Sequence, residues 1–280
     1  IGLTQPSLTK RLSNLEQELG SQLFDRTRRG MLLTPAGSSF LRRAKRIEQE
    51  MLQANEEIRG LVAAGLDVLR VGAGPLFHQR FVAPAFSKLL FEFPAIKLDL
   101  TVFPIEIGLP KLIKGELDIV LGAIQPTIQD AALLSIQMTI LEHGIIIPPE
   151  TDIKRKPTIL PKDMRDMRWV LYGDDHDTEI WLNGYFQRNG LGTPNIAVRT
   201  ASFATGLGLV RNSGFVMMAP VQLAPVIEEA GLRVLCAQPA LTKLTSGAYV
   251  RVSSMGIPAI RRFLEILEAE IKSSKFNLQQ

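Results

Sequence analysis

Cysteine, histidine and long apolar runs are scarce in this chain of 280 residues. It has one cysteine, Cys236, and three histidines. A single cysteine excludes an intrachain disulfide, a cysteine-rich zinc site and a two-cysteine redox switch, and it is typical of a reducing, cytoplasmic compartment. No eighteen consecutive residues are apolar and no secretion leader is recognised. We therefore expect a cytoplasmic protein with no membrane partner.

Residue combinations that carry catalysis are also missing. His78 and His143 are isolated, with no serine or cysteine nucleophile in a recognisable motif, so we expect neither enzyme activity nor a cofactor. The stretch GDDHDTE, residues 173–179, could hold a metal ion, but acidic residues also favour a helix start, and we predict no metal. The stretch VGAGPLF, residues 71–77, has phenylalanine where a dinucleotide-binding motif has its third glycine, and we therefore expect no nucleotide binding there.

Positive charge is concentrated at the start of the chain. Residues 1–46 contain nine Lys or Arg and three Asp or Glu, a net charge of +6. The whole chain carries +4, so the remainder carries −2. A basic head on a nearly neutral body suggests contact with a polyanion, and the alternative is a chance cluster of solvated charges.

The first helix is predicted from about residue 5 to 19. Thr4 is suited to the N-cap, Pro6 to the first turn and Gly20 to the C-terminal stop. Leucines spaced by four and three residues form one apolar stripe, in which we expect Leu8, Leu12 and Leu15 to be core. The stripe comprises Leu8, Leu12, Leu15 and Leu19.

A basic hairpin and a long helix are predicted next. Residues 23–37 combine two short apolar flanks with a basic segment, and Thr34-Pro35 reads as the start of a helix that extends to about residue 64. Apolar residues in this helix alternate in steps of four and three, which favours a coiled-coil contact between two chains. The alternative is a helix packed on its own domain. The predicted dimerisation residues are Phe40, Ala44, Ile47, Met51, Ala54, Ile58 and Leu61.

From residue 67 onward, strands alternate with helices. This order predicts parallel sheets covered by helices on both faces. Strands are expected at 68–73, 96–102, 117–123, 142–147, 169–172, 196–200, 215–219, 233–237 and 247–252. Helices are expected at 76–92, 107–115, 178–189, 203–212, 221–230 and 257–273.

The segment QPSLTKRLSNLEQELGSQLFDRTRRGMLLTPAG, residues 5–37, resembles the DNA-reading segment of LysR-type transcriptional regulators. The matching motifs are Thr-Gln-Pro-Ser-Leu-Thr at 4–9, the run from Leu15-Glu16 to Arg26, and Leu-Thr-Pro-Ala-Gly at 33–37. The family's first helix and most of its second are not found, so we expect a fragment that begins within the winged helix-turn-helix.

The resemblance implies a fold class and a domain order. The class is α/β: a two-lobed periplasmic-binding-protein-like (type 2) effector domain preceded by a partial winged helix-turn-helix and a long linker helix. The domains would be 1–34 for DNA binding, 35–66 for linker and dimerisation, and 67–280 for effector binding. Lobe I would comprise 68–141 and 241–280, and lobe II would comprise 142–240.

The resemblance also assigns residues to two sites. Major-groove contacts would come from Gln5, Pro6, Ser7, Thr9 and Lys10, and wing contacts from Arg28 and Arg29. In open α/β sheets, ligands lie beyond the carboxyl ends of the strands. On that rule the effector-binding residues would be Gly74, Pro75, Leu76, Ile105, Glu106, Thr200, Ser202 and Phe203. Only Ser202 matches the family's usual Ser/Thr pattern, so we expect a pocket that is more apolar than is usual in the family. Glu106 would either contact a hydrogen-bond donor or cation, or be solvated.

The sequence thus predicts a bacterial, sequence-specific, DNA-binding transcription regulator that senses a small molecule. Its implied partners are double-stranded promoter DNA, a small-molecule effector, further copies of itself in a homodimer or homotetramer, and RNA polymerase. The alternatives from other classes are a solute-binding protein of a transport system and an α/β enzyme.

Overall fold

The chain forms two compact units that divide between residues 55 and 56. The computed structural model describes residues 5–27, 30–61, 66–102, 105–128, 130–151, 158–172 and 176–274. The division lies within the second helix. None of the helices in these ranges is long and apolar enough to cross a membrane.

The N-terminal unit is a helix, a hairpin and the start of a long helix. Its elements are α1 (Gln5–Leu19), β1 (Phe24–Thr27), β2 (Gly30–Leu33) and α2 (Pro35–Leu61), with β1 and β2 antiparallel. Gly20 ends α1 with a φ of 63°, as predicted for the stop.

Thr34 caps α2 and ties it to the hairpin. The Thr34 hydroxyl accepts a hydrogen bond from the Gly37 backbone N–H at 2.9 Å. The Thr34 backbone N–H donates to the Leu23 carbonyl at 3.0 Å. Gly37 approaches this carbonyl so closely that an added Cβ would lie 1.9 Å from the oxygen. Glu16 of α1 accepts hydrogen bonds from the backbone of Leu23 and Phe24 at 2.7 and 3.1 Å.

Lobe I is built on a sheet with helices packed against it. Its elements are β3 (Val68–Ala73), a π-helical segment (Phe77–Phe81), α3 (Val82–Glu92), β4 (Lys97–Val102), α4 (Ile105–Ile113) and β5 (Ile119–Ala123). From the end of the chain it adds β12 (Lys243–Arg251), a 3-10 turn (Ser253–Gly256) and α9 (Pro258–Ser273). Leu89 of α3 and Phe263 and Leu267 of α9 are fully buried in the core of this lobe.

Lobe II is built on a second sheet. Its elements are β7 (Thr158–Ile159), α5 (Pro161–Met164), β8 (Arg168–Tyr172), α6 (His176–Arg188), β9 (Asn195–Thr200), α7 (Phe203–Ser213), β10 (Val216–Pro220), a 3-10 turn (Val221–Leu223), α8 (Ala224–Glu229) and β11 (Arg233–Ala237). Trp169, Tyr185 and Phe186 are fully buried in its core.

Two antiparallel strands connect the lobes. β6 (Leu133–Ile147) pairs with β12 through its first half and with β10 and β11 through its second half. The strand order is β4-β3-β5-β12-β6-β10-β8-β9, and β11 lies beside β6 and β7. The predicted boundary between residues 141 and 142 therefore falls inside one continuous strand.

Three expectations for residues 67–280 need correction. Residues 133–141 are a strand, although their alternation was not recognised, and β12 begins at 243 instead of 247. The sheets are also mixed: β3 is parallel to β4 and β5, but β12 is antiparallel to β5 and β6. A β-α-β rhythm does not predict these two strands because no helix of the described residues lies between β5 and β6, or between β11 and β12, along the chain.

A buried ion pair lies at the amino-terminal side of β5. Arg251, 4% exposed, donates to the backbone carbonyls of Leu112 and Leu117, the latter at 2.5 Å, and its Nη2 lies 3.6 Å from Asp118 Oδ1. Asp118 Oδ2 accepts a hydrogen bond from the Arg70 backbone N–H at 2.8 Å. These bonds offset the cost of burying two charges.

Candidate functional site

The first candidate site is the leading face of α1, by which we mean the exposed side of its first turns. Ser7, Thr9 and Lys10 have exposed side chains on its first turns. Gln5 and Pro6 begin the helix, and Arg28 and Arg29 lie outside the described residues. The described part of the predicted major-groove set therefore sits on one helix, with short polar and cationic groups that can reach phosphates and base edges.

The leucine stripe of α1 is less buried than expected. Leu8 is 59% exposed and Leu19 is 44% exposed, whereas Leu12 and Leu15 are half-buried. The interpretation of Leu8 as core is therefore wrong here, because no element of the described residues covers that end of the stripe. An apolar stripe of this kind needs a second helix against it.

The predicted seam of α2 is largely uncovered. Ile47, Met51 and Ile58 are 67%, 66% and 59% exposed, Ala54 is exposed, and Phe40 and Ala44 are half-buried. The Leu61 side chain lies outside the described residues. Exposed apolar residues at heptad spacing are typical of a helix that pairs with a second chain, and dimerisation through them stays a prediction.

The second candidate site is a cavity of about 360 Å³ between lobes I and II. It lies at the carboxyl ends of β3, β4 and β5 in lobe I and of β8, β9 and β10 in lobe II. Open α/β sheets bind ligands at this end, because the strands stop there and the loops leave space. Residues from both lobes line it.

Four aromatic side chains line the cavity. Phe77 comes from the π-helical segment, Tyr172 ends β8, Trp181 is on α6 and Phe203 begins α7. The Tyr172 and Phe203 rings pack edge to face with centroids 5.6 Å apart. Burial raises the pKa of the Tyr172 hydroxyl. Flat apolar walls of this kind suit an aromatic or alicyclic ligand.

Polar groups enter the cavity from lobe I at two places. Gln125 Nε2 donates to Glu106 Oε1 at 2.8 Å, and the Gln125 backbone N–H donates to the Tyr249 hydroxyl at 2.8 Å. Ser246 is fully buried, and its hydroxyl donates to the Gly122 carbonyl at 2.7 Å. The Glu106 carboxylate is thereby held at the cavity by a chain of hydrogen bonds.

His143 is the buried titratable group of the cavity. It lies on β6 and is 9% exposed, its Nδ1 is 2.7 Å from Thr242 Oγ1, and its ring centroid is 5.7 Å from that of Trp181. Burial lowers the pKa of this imidazole from 6.5 to about 4, because the charged form loses its hydration. The ring is therefore neutral at physiological pH.

Most of the predicted effector-binding residues line the cavity, but two do not. The Ser202 hydroxyl accepts from the Thr205 backbone N–H at 3.2 Å, so it serves as the N-cap of α7. The Thr200 hydroxyl accepts from the Ser202 backbone N–H at 3.1 Å. The predicted residues that line the cavity are Gly74, Pro75, Leu76, Ile105, Glu106 and Phe203.

Sequence reasoning missed the lining residues of the crossing strands and of α6. His143 and Ser246 lie on β6 and β12, which pass beneath the cavity, and Trp181 and Thr178 lie on α6. The segment 173–179 was considered only for a metal, and residues 173–175 lie outside the described ranges. The apolar run 145–147 predicts a strand at 142–147 that includes His143, but nothing in that run indicates that the histidine faces a cavity.

Fold and cavity together define a class. A two-lobed α/β domain with a cavity at its strand ends, preceded by a polar helix, a hairpin and a long helix within a basic N-terminal segment, is a DNA-binding regulator with its own ligand-binding domain. The LysR substrate binding domain matches residues 67–272, and the bacterial regulatory helix-turn-helix protein of the lysR family matches residues 1–38. The chain belongs to the LysR family of bacterial transcription regulators.

Curated relatives agree with this assignment. The chain is 27% identical over 225 residues to the transcriptional regulator TdcA of Escherichia coli K12, covering 80% of this chain and 70% of TdcA. It is 24% identical over 212 residues to the regulator AlsR of Bacillus subtilis, covering 75% of this chain and 69% of AlsR. These relatives are regulators; that this chain has no enzyme activity stays a prediction.

Solved structures share the fold. A full-length OxyR variant of Pseudomonas aeruginosa has a TM-score of 0.61 at 21% identity, covering 96% of this chain and 89% of that one. Full-length CbnR in complex with its target DNA has a TM-score of 0.54 at 21% identity, covering 96% and 91%. The two-lobed, periplasmic-binding-protein-like fold is thus confirmed. The family assignment sets the transport solute-binding alternative aside in favour of a DNA-binding transcription regulator with an effector-binding domain.

Proposed function

We propose that a small organic effector binds in the cavity and changes how lobes I and II are arranged, and that this change regulates DNA binding. The observation that carries the proposal is the composition of the cavity: Phe77 and Glu106 approach it from lobe I, and Trp181 and Phe203 from lobe II. A ligand that touches both walls binds best when both are within reach, so it favours one lobe arrangement over the others.

The interlobe contacts give this rearrangement a structural basis. The Arg80 guanidinium, in lobe I, donates to the backbone carbonyl of Gln222, in lobe II. The Gln222 side chain in turn donates from Nε2 to the Ile140 carbonyl of β6 at 2.7 Å. A change in lobe arrangement must alter these bonds, because their partners belong to different lobes.

DNA binding is proposed for the leading face of α1 and for the hairpin. Gln5, Pro6, Ser7, Thr9 and Lys10 would lie in the major groove, and Arg28 and Arg29 would contact the backbone. Phosphate neutralisation provides most of the affinity of such modules. The logarithm of the binding constant of the full protein should therefore fall linearly with the logarithm of the salt concentration, with a slope of about −0.9 per contacted phosphate.

Assembly is proposed through the exposed seam of α2. Burying Ile47, Met51 and Ile58 against a second chain removes exposed apolar surface from water and places two DNA-reading helices on one duplex. We propose a dimer through this seam, a homotetramer as the complete assembly, RNA polymerase as a further partner, and a reducing cytoplasm as the compartment.

The test is a thermal-shift screen with a panel of small metabolites and a pair of matched variants. Ala201 lines the cavity and is exposed, so Ala201→Trp should fill the cavity without disturbing the core. Ala204 is also exposed, lies on α7 and does not line the cavity, so Ala204→Trp is the control.

A ligand at one hundred times its Kd should stabilise the wild type by about 2.7 kcal/mol. That stabilisation should persist in Ala204→Trp and disappear in Ala201→Trp, and the ligand should shift the affinity of the wild type for promoter DNA. Equal stabilisation of both variants would show that the effector binds elsewhere.

A further inference from the structure

We infer that the effector of this chain is an apolar amine: a flat hydrophobic body that carries one ammonium group and no carboxylate. This inference rests on the proposed function, since it concerns the ligand of the same cavity.

The walls favour a flat hydrophobic body. Phe77 faces the cavity from lobe I, and Tyr172, Trp181 and Phe203 face it from lobe II. A cavity of about 360 Å³ accommodates a bicyclic ring with a short side chain. Aromatic faces attract an ammonium group, because the ring carries negative potential above its plane.

The charge on the cavity wall is negative. Among the described lining residues there is no lysine or arginine, and Glu106 is the one carboxylate. His143 is neutral because burial holds the pKa of its ring near 4. An anionic ligand would therefore enter a cavity with an opposing carboxylate and no described cation, whereas an ammonium group would meet an acceptor.

The carboxylate is placed to accept from a ligand. Glu106 lies in the first turn of α4, where the helix dipole favours a negative group. Gln125 occupies only Oε1, and the described residues provide no ion-pair partner. Gln125 is itself positioned by the Tyr249 hydroxyl, so the exposed Glu106 side chain has one fixed hydrogen-bond donor beside it at the wall.

Three backbone positions near the edge of the cavity offer no N–H to a carboxylate ligand. The Gly74 N–H donates to the Leu121 carbonyl at 2.8 Å, and Pro75, the next residue, has no N–H. At the start of α7, the Thr205 N–H is taken by the Ser202 hydroxyl. At these three positions no backbone N–H is left for an anion, in agreement with the charge on the wall.

Three probes of one skeleton test the inference with the full chain: tryptamine, tryptophol and indole-3-propionate, which are cationic, neutral and anionic at pH 7.5. Binding is measured by titration calorimetry. We expect the Kd of tryptamine to be at least ~10-fold lower than that of indole-3-propionate, since cation–π attraction and the Glu106 pair both favour it.

Glu106→Gln keeps the shape and the Gln125 hydrogen bond but removes the charge. It should lower the preference for tryptamine over tryptophol by about threefold to fivefold, in line with a partly solvated ion pair. Glu150→Gln, at an exposed residue away from the cavity, is the matched control and should leave the ratio unchanged.

Tighter binding of indole-3-propionate, no saturable binding of tryptamine, or an unchanged preference in Glu106→Gln would each overturn the ligand class. Failure of the proposed function is distinguished by Ala201→Trp. If that variant abolishes binding of an anionic probe, the cavity is the effector site and only the ligand class is wrong. If the variant binds every probe as the wild type does, the site itself is misplaced.

Discussion

The buried imidazole of His143 should make the stability of lobe II depend on pH. In the folded chain its pKa is about 4, against 6.5 for the exposed ring. Below pH 6.5 the unfolded chain binds a proton that the folded chain excludes, so unfolding becomes easier as the pH falls toward 4. Above pH 6.5 both states hold a neutral ring, and the contribution to the slope disappears.

The magnitude follows from the size of the pKa shift. Each pKa unit corresponds to 1.36 kcal/mol, so the free energy of unfolding should fall by about 3 kcal/mol between pH 6.5 and 4 through this residue alone. Carboxylates also titrate in this window. A variant that lacks the ring but keeps the polar contact isolates the histidine, and His143→Asn does so because the Asn amide can replace Nδ1 against the Thr242 hydroxyl.

Urea unfolding is the assay, followed by tryptophan fluorescence. The chain has two tryptophans, Trp169 and Trp181, and both lie in lobe II with His143. The wild-type free energy of unfolding minus that of His143→Asn should be constant between pH 7 and 8 and then fall by about 1.4 kcal/mol per pH unit below pH 6. A difference that stays constant down to pH 4.5 would refute the claim that the fold holds this ring neutral.

Three further perturbations have outcomes that the structure fixes in direction and size. Arg251→Met should destabilise the chain by about 3–5 kcal/mol in urea unfolding, because Asp118 stays buried without its buried cation; a loss below about 1 kcal/mol would contradict this. Gly37→Ala should destabilise the N-terminal unit by about 1–3 kcal/mol and lower its melting temperature, because the added Cβ forces a shift at the Leu23 carbonyl. An unchanged melting temperature would argue against that close contact. Met51→Glu should raise the dimer Kd in analytical ultracentrifugation by at least ~100-fold, since each of the two chains loses an apolar seam residue of about 1.5–3 kcal/mol; an unaltered dimer would exclude the α2 seam.

The sequence predicts the fold of this chain well where local signals and periodicity agree. The stop at Gly20, the cap at Thr34 and the strand at 68–73 are all found, because turn residues and alternation act within a few positions. The two antiparallel strands that connect the lobes, β6 and β12, were harder to predict. Residues 133–141 and 243–246 pair only with each other and with strands far along the chain, so no short-range pattern marks their ends.

The candidate site was predictable in its position and less so in its residues. The strand-end rule located Gly74, Ile105 and Glu106 because it depends only on where strands stop. The same rule selected Ser202, but a serine before a helix can cap that helix instead, and here it does. His143 was unpredictable as a lining residue, since its strand enters the cavity only through pairings set by tertiary structure.

The order of strands in lobe I also has a consequence for biosynthesis. β12 lies between β5 and β6 in the sheet, yet it follows the whole of lobe II in the chain. Until residue 251 has left the ribosome, β5 and the first half of β6 each present an unpaired backbone edge. All strands of lobe II are synthesised before β12, so lobe II can fold first. A translation stop upstream of β12 would therefore leave a folded lobe II attached to an incomplete lobe I, whose unpaired strand edges can pair with other chains.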